Sequence, residues 1–315
     1  MKTEKTEWNK RNGGTHGTGT REIMLDVIMA LIPAAVASIL LFGPRALMIL
    51  AVCVAACVLS EFIFQRAAGR TVTTGDLSAA VTGILLAFNL PVTIHPLIAL
   101  LGGLAAVAVF KQMFGGLGRN WVNPALAACL LLTAAFPVQM TAWVHPFDYL
   151  HASSAPVVST LSLLKQGSSA ARMPGLMNLL VGDRAGCLGE TCAAALLLGG
   201  IYLIVRKVIS PVIPLCFLGT AALFSLFLGR NVLIDLLSGS LLLGAIFMAT
   251  DRTTAPASWK GQAVYAVGCG AVTILIRAYG SLPDGVAASI VLMNLLSRLT
   301  GYAAARIQKR KETPA

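Results

Sequence analysis

Long, nearly unbroken apolar runs restrict what this chain can become. Val27 to Phe42 and Ala46 to Phe64 are two of them, and they lack the polar alternation that divides a soluble helix into wet and buried faces. A bilayer core of about 30 Å takes roughly 20 apolar residues as a helix, and many runs here approach that length. Of 315 residues, 57% are hydrophobic and 12% charged, about half the charged share of a typical soluble domain. The chain therefore reads as an all-α membrane protein. A polar, basic segment precedes the first run, which is long enough to span, so that run reads as a signal anchor rather than a cleavable signal peptide.

Two other classes fall away on composition. The formal charge of +11 is explained by basic cytoplasmic loops in a membrane chain, and no aromatic-basic patch suggests nucleic acid. The seven cysteines mostly lie inside apolar runs, where Cys acts as a small hydrophobe. No metal-site spacing is present. Cys187 and Cys192 read first as two buried thiols, with a disulfide or a metal pair as the alternative.

About ten spans can be drawn, roughly at 24–42, 46–66, 75–90, 96–112, 124–142, 187–205, 212–229, 232–250, 262–279 and 285–303. With the N-terminus inside, 18 of the 24 Lys and Arg residues fall on the cytoplasmic side. Arg45, Lys165, Arg172, Arg184, Arg230 and Arg277 are left outside or at outer span ends. Positive charge is retained inside, so both termini are expected in the cytoplasm. A long polar stretch from Trp143 to Gly186 falls on the outer face. A connection of this length usually has a function. The division is then a basic N-terminal segment (1–21), a first five-helix half (22–142), an extracytoplasmic loop (143–186), a second five-helix half (187–303) and a basic tail (304–315). Two odd-numbered halves in series must be inverted relative to each other. Asp76-Leu77-Ser78 before Leu85-Leu86-Ala87-Phe88 is echoed by Asp235-Leu236-Leu237-Ser238 before Ala245-Ile246-Phe247. Inverted repeats place their functional site between the halves, often at broken helices.

Charges inside spans are costly and need a reason. Asp76 and Asp235 sit at span starts, where a carboxylate complements the helix dipole; an ion or proton relay is the sharper reading. Glu61 and Glu190 are weaker cases of the same kind. In Gly115-Gly116-Leu117-Gly118-Arg119-Asn120-Trp121-Val122-Asn123-Pro124, glycine frees the backbone and Asn123 before Pro124 starts a helix. Arg119, Asn120 and Asn123 in such a turn suit a phosphate or a flavin ring; loop punctuation is the plain alternative. Met248 to Pro256 and Gly280 to Gly285 are similar stretches.

Taken together these stretches carry a resemblance. The sequence resembles the D-type subunit of the Rnf electron-transport complex and the related B-type subunit of the sodium-translocating NADH:quinone oxidoreductase. The matching residues are Thr82-Gly83-Ile84-Leu85-Leu86-Ala87-Phe88-Asn89-Leu90-Pro91, then Gly115 to Ala125, Leu237 to Ala245, Phe247 to Asp251, and Pro283-Asp284-Gly285 with Leu292-Met293-Asn294. The resemblance implies a membrane complex that couples electron flow to sodium-ion or proton movement in the cytoplasmic (inner) membrane. It also implies FMN, phosphoester-linked to a Thr hydroxyl in an outer-face loop, and in some relatives a second, non-covalent flavin. The family's attachment pattern runs roughly Ser-Gly-Ala-Thr-Pro-Leu. Here the loop departs from it, with Val157 and Val158 replacing small residues and Ser153 replacing an Asp. An ungapped register puts Ser159 at the attachment position and a one-residue shift puts Thr160 there, so both are expected candidates. Lys165 and Arg172 lie near enough in sequence to offset a phosphate. The chain shows no nucleotide-binding Gly-rich strand–turn–helix unit and no iron–sulfur spacing, so other members of an Rnf-type complex are its expected partners. A transporter without redox chemistry, or a flavin-free scaffold protein of the same complex, are the alternatives.

Overall fold

The computed structural model describes residues 19–149, 157–165, 174–282 and 284–312, with side chains to residue 300. Residues 1–18 of the basic N-terminal segment, Ser153, Arg172 and Pro283 lie outside the described residues. The described chain is helical throughout, with one isolated antiparallel bridge between Trp143 and Val157.

The first part comprises α1 (Thr20–Phe42), α2 (Pro44–Ala67), α3 (Ser78–Phe88), α4 (Pro96–Leu104, continuing as a π-helix over Ala105–Gln112) and α5 (Pro124–Ala135). Three short helices follow: α6 (Pro137–Met140), α7 (Thr160–Lys165) and α8 (Leu176–Val181). The second part comprises α9 (Ala193–Val205), α10 (Val212–Phe227), α11 (Val232–Leu237), α12 (Leu241–Leu243, continuing as a π-helix over Gly244–Met248), α13 (Trp259–Tyr279) and α14 (Val286–Glu312). α1, α2 and α13 are long and apolar enough to cross a bilayer, and six shorter apolar helices accompany them.

The chain leaves large apolar side chains on its outside. Leu198, Leu215 and Phe227 are 61%, 69% and 86% exposed. Apolar surface on this scale belongs against lipid. Residues such as Leu86, Ala99, Phe217 and Tyr265 fill the interior.

Several helix ends differ from the apolar runs, for identifiable reasons. The run drawn to 142 stops at Ala135, because Pro137 cannot continue the helix and begins α6 instead. The run drawn from 187 becomes helical only at Ala193, since residues 187–190 are used in backbone pairing: Leu188 N donates to Leu90 O and Gly189 N to Phe88 O. The run 232–250 is broken at Ser238-Gly239-Ser240, where Gly239 takes φ +66°. α3 is a half-length helix that ends at Asn89, ahead of Pro91.

In both parts the second helix packs on the fourth: α2 on α4, and α10 on α13. Small residues permit the approach, as expected of helices packed in lipid. A Cβ on Gly103 would lie 2.6 Å from Ala56 Cβ, and one on Gly270 would lie 2.7 Å from Phe217 O. The parts join through like members, α1 with α9 and α5 with α14. α1 and α9 run antiparallel: Tyr202 donates to Asp26 at 2.9 Å, and Ser38 donates to Leu188 O at 2.6 Å. Between these contacts a Cβ on Gly199 would meet Ala30 O at 2.1 Å. Gly199→Val should therefore separate the two helices and cost about 1–3 kcal/mol, read as a lowered melting temperature in detergent. An unchanged melting temperature would show that the joint is not tight.

Candidate functional site

Between α5, α7, α14 and the segment leading into α9 lies a small open cavity of about 90 Å³. Leu130, Met140 and Trp143 give it an apolar and aromatic side, while Asn89, Arg184, Glu190, Ser240 and Asp284 supply polar groups. A second opening shares Thr141, Trp143, Leu161 and Leu282 with it and adds Ser162 and Lys165.

Both loop hydroxyl residues line this cavity. They are buried, at 7% exposure for Ser159 and 6% for Thr160, so they face inward rather than standing free on the loop. Their roles differ. Ser159 Oγ accepts from Ser162 N at 3.2 Å and lies 2.9 Å from Ser162 Oγ, which caps the start of α7. Among the described residues Thr160 Oγ1 makes no hydrogen bond. Lys165 donates to Gly280 O, tying α7 to the end of α13.

Arg184 and Glu190 come from the segment ahead of α9. Arg184 Nε donates to Thr191 O at 3.3 Å and Nη2 donates to Glu190 O. Glu190 Oε1 accepts from Cys187 N at 2.8 Å.

Across the cavity, Asp284 accepts from Ser240 N at 3.0 Å and pairs with Arg277, which is buried and also donates to Asp235 O and Ser238 O. Asp235 pairs with Arg230 at 2.8 Å and accepts from Ser225 at 2.6 Å, so it is a fully enclosed ion-pair member rather than a simple helix-end charge. Asp76 does play the helix-start role, accepting from Ser78 N at 2.8 Å.

The three residues of the glycine-rich turn are placed elsewhere. Asn123 caps α5, accepting from Ala125 N at 3.1 Å and Leu126 N at 3.3 Å, and donates to Met248 O at 3.3 Å. Asn120 is buried, and its carbonyl accepts from Arg298 at 2.9 Å. Arg119 is exposed and folds over Gly115. Cys129, Leu130 and Thr133 of α5 line the cavity, so about 15 Å of helix separates Asn123 from Thr133. Arg119, Asn120 and Asn123 thus share no site with Ser159 and Thr160. The Asn123 side chain is taken by the α5 cap, while Asn120 Oδ1 is buried without a partner.

A second polar cluster lies between α2, α3 and α4. Lys111 Nζ is 2.7 Å from Glu61 Oε1 and donates to Ser78 Oγ at 2.6 Å, while Gln112 donates to Glu61 at 2.7 Å. Glu61 Oε2 is buried without a partner. Neighbouring residues Lys111 and Gln112 both reach Glu61 from the π-helical turn, and such turns collect at functional sites. All seven cysteines are free thiols, Cys187 and Cys192 half-buried among them.

Comparison with known proteins places this architecture. The model for the NQR2, RnfD, RnfE family matches residues 14–307. The chain belongs to that family. Among curated members it is 43% identical to the D-type subunit of the Na(+)-translocating ferredoxin:NAD(+) oxidoreductase complex of Acetobacterium woodii, covering 89% of this chain and 87% of the relative. It is 38% identical to the proton-translocating counterpart of Clostridium ljungdahlii, over 88% of each chain. The D-type subunit of the ion-translocating oxidoreductase complex of Halorhodospira halophila is 34% identical over 89% and 88%. The family motifs of the sequence, from Thr82 to Pro91 and from Leu237 to Asp251, are the segments that end or break the half-length helices. The sequence did not single out Arg184 beyond its place outside the membrane, nor Trp143; neither lies in a recognisable pattern, and only the folding of the loop brings them to Thr160.

Proposed function

We propose that this NQR2, RnfD, RnfE family chain is the D-type membrane subunit of an Rnf-type ion-translocating electron-transport complex. One observation carries the reading: relatives at 34–43% identity over nearly nine-tenths of both chains are all named as the D-type subunit of such complexes. The reading includes FMN attached at Thr160, an electron path through the chain, and coupled sodium-ion or proton movement. A flavin supplies one- and two-electron redox chemistry that side chains lack. The cavity offers such a group both polar and apolar contacts. Among the described residues Thr160 Oγ1 makes no hydrogen bond, and Trp143 and Leu130 offer an apolar wall. Thr160 is preferred over Ser159, whose hydroxyl is already held in the α7 cap.

Ten spans in two inverted halves are part of the same reading. Among the described residues, nine apolar helices and the interrupted pair α11–α12 support a reading of ten passes. The repeated packing of second on fourth helix, and the antiparallel pairing of α1 with α9, support inversion. The basic asymmetry then puts both termini in the cytoplasm and the chain in the inner membrane. His145→Cys should react with an impermeant thiol reagent in intact cells and Ala68→Cys only after lysis; the reverse would overturn the orientation. The Glu61–Lys111 cluster and the Asp235–Arg277–Asp284 cluster are the polar groups best placed to hand on a cation or a proton.

The valines at Val157 and Val158 favour a second reading, a scaffold protein whose loop its flavin transferase no longer accepts. Both readings require partners. A tagged chain purified in mild detergent from its native membrane should bring down iron–sulfur and nucleotide-binding subunits. Purification of the chain alone would contradict membership of a complex.

A further inference from the structure

We propose that Arg184 is the cation that binds the phosphate group of a flavin nucleotide in the outer cavity. The inference rests on the flavin reading above and adds to it a residue and a ligand group.

The argument begins with charge. Arg184 is 5% exposed and lines the same cavity as Thr160. A guanidinium removed from water needs an anion or a full set of acceptors. Among the described residues no carboxylate lies within ion-pair distance of it. Its Nε and Nη2 donate only to the carbonyls of Thr191 and Glu190, and Nη1 makes no hydrogen bond there. The other buried cations are compensated: Lys111 by Glu61, and Arg277 by Asp284 and Asp235.

The neighbouring acids do not fill the role. Asp284 is committed to Arg277 and Ser240. Glu190 Oε1 accepts from Cys187 N, and among the described residues the Glu190 carboxylate forms no ion pair with Arg184. Lys165, expected with Arg172 to offset a phosphate, donates to Gly280 O instead. Arg184 is thus the cavity cation left with donors to spare. A guanidinium offers phosphate a planar, forked set of donors. The two carbonyls that hold Nε and Nη2 fix its orientation before any ligand arrives.

The test uses the full chain in nanodiscs, made without a flavin transferase so that the Thr160 hydroxyl stays free. Free FMN and riboflavin, which differ by the phosphate alone, are titrated by fluorescence quenching. The wild-type chain should bind FMN at least tenfold more tightly than riboflavin. Arg184→Gln should lose that margin with riboflavin binding unchanged, and Arg184→Lys should keep part of it. Inorganic phosphate should compete with FMN only where Arg184 is present. Equal affinity for FMN and riboflavin in the wild type, or an FMN preference intact in Arg184→Gln, would overturn the proposal while leaving the flavin reading in place. Failure of the wild type to bind either flavin would sink both. If Arg184→Gln does not fold, a reduced FMN margin in Arg184→Lys supports the proposal, and an undiminished margin there counts against it.

Discussion

Thr160→Ala should abolish covalent flavin fluorescence on a denaturing gel, while Ser159→Ala keeps it. The chain must be made together with its own flavin transferase. The two residues are neighbours in the loop and both line the cavity, yet their hydroxyls are in different situations. Ser159 is spent on the first turn of α7, where it accepts from Ser162 N at 3.2 Å. Its replacement removes a cap of about 1 kcal/mol and leaves the acceptor in place. Thr160 has no such commitment, and its loss removes the attachment atom itself. The effect is therefore all-or-none at one position and small at the other. Fluorescence that survives Thr160→Ala and disappears with Ser159→Ala would assign the link to Ser159 and reverse the argument.

The second large effect is on stability, at Lys111. Lys111 and Glu61 are each 1% exposed and lie 2.7 Å apart, with Ser78 and Gln112 supplying further hydrogen bonds. Removing one member strands the other charge in an apolar interior. Lys111→Ala should therefore destabilise the chain by about 3–5 kcal/mol. Replacing both members with apolar residues of similar volume, as in Glu61→Leu with Lys111→Met, should recover most of that loss, because no charge is left unpaired. Melting temperatures in one detergent give the comparison. A double variant as unstable as the single would show that the pair acts through packing rather than charge.

How much of this was legible in the sequence depends on the range of the interactions involved. The long helices were legible because each is fixed by its own apolar run: α2 was drawn from 46 to 66 and forms over Pro44–Ala67. Breaks caused by local chemistry could be read less well. Pro137 ends α5 as any proline would, but Ser238-Gly239-Ser240 interrupts a run whose average apolarity hides it. Sites built across long separations were not legible at all. The backbone bond from Leu188 N to Leu90 O joins residues far apart in the chain, and it brings Glu190 beside Thr160. The same geometry explains the mixed fate of the five candidate ligands. Ser159 and Thr160 reach the cavity because the loop folds back through the Trp143–Val157 bridge. Arg119, Asn120 and Asn123 stay with the turn at the other end of α5. A glycine-rich turn with Asn and Arg has the composition of a phosphate site, but the cap of α5 takes Asn123 Oδ1.

The measurement that bears most directly on the whole account is ion uptake by inverted membrane vesicles from the native organism, energised with the electron donor and acceptor named for the Acetobacterium woodii relative, reduced ferredoxin and NAD. The account predicts that deleting this chain abolishes sodium-ion or proton uptake together with NAD reduction. It also predicts that the wild-type gene restores both, while the Thr160→Ala gene restores assembly of the complex without turnover. Uptake and NAD reduction that continue in the deletion strain would contradict the claim that this chain is a working part of an ion-translocating electron-transport complex.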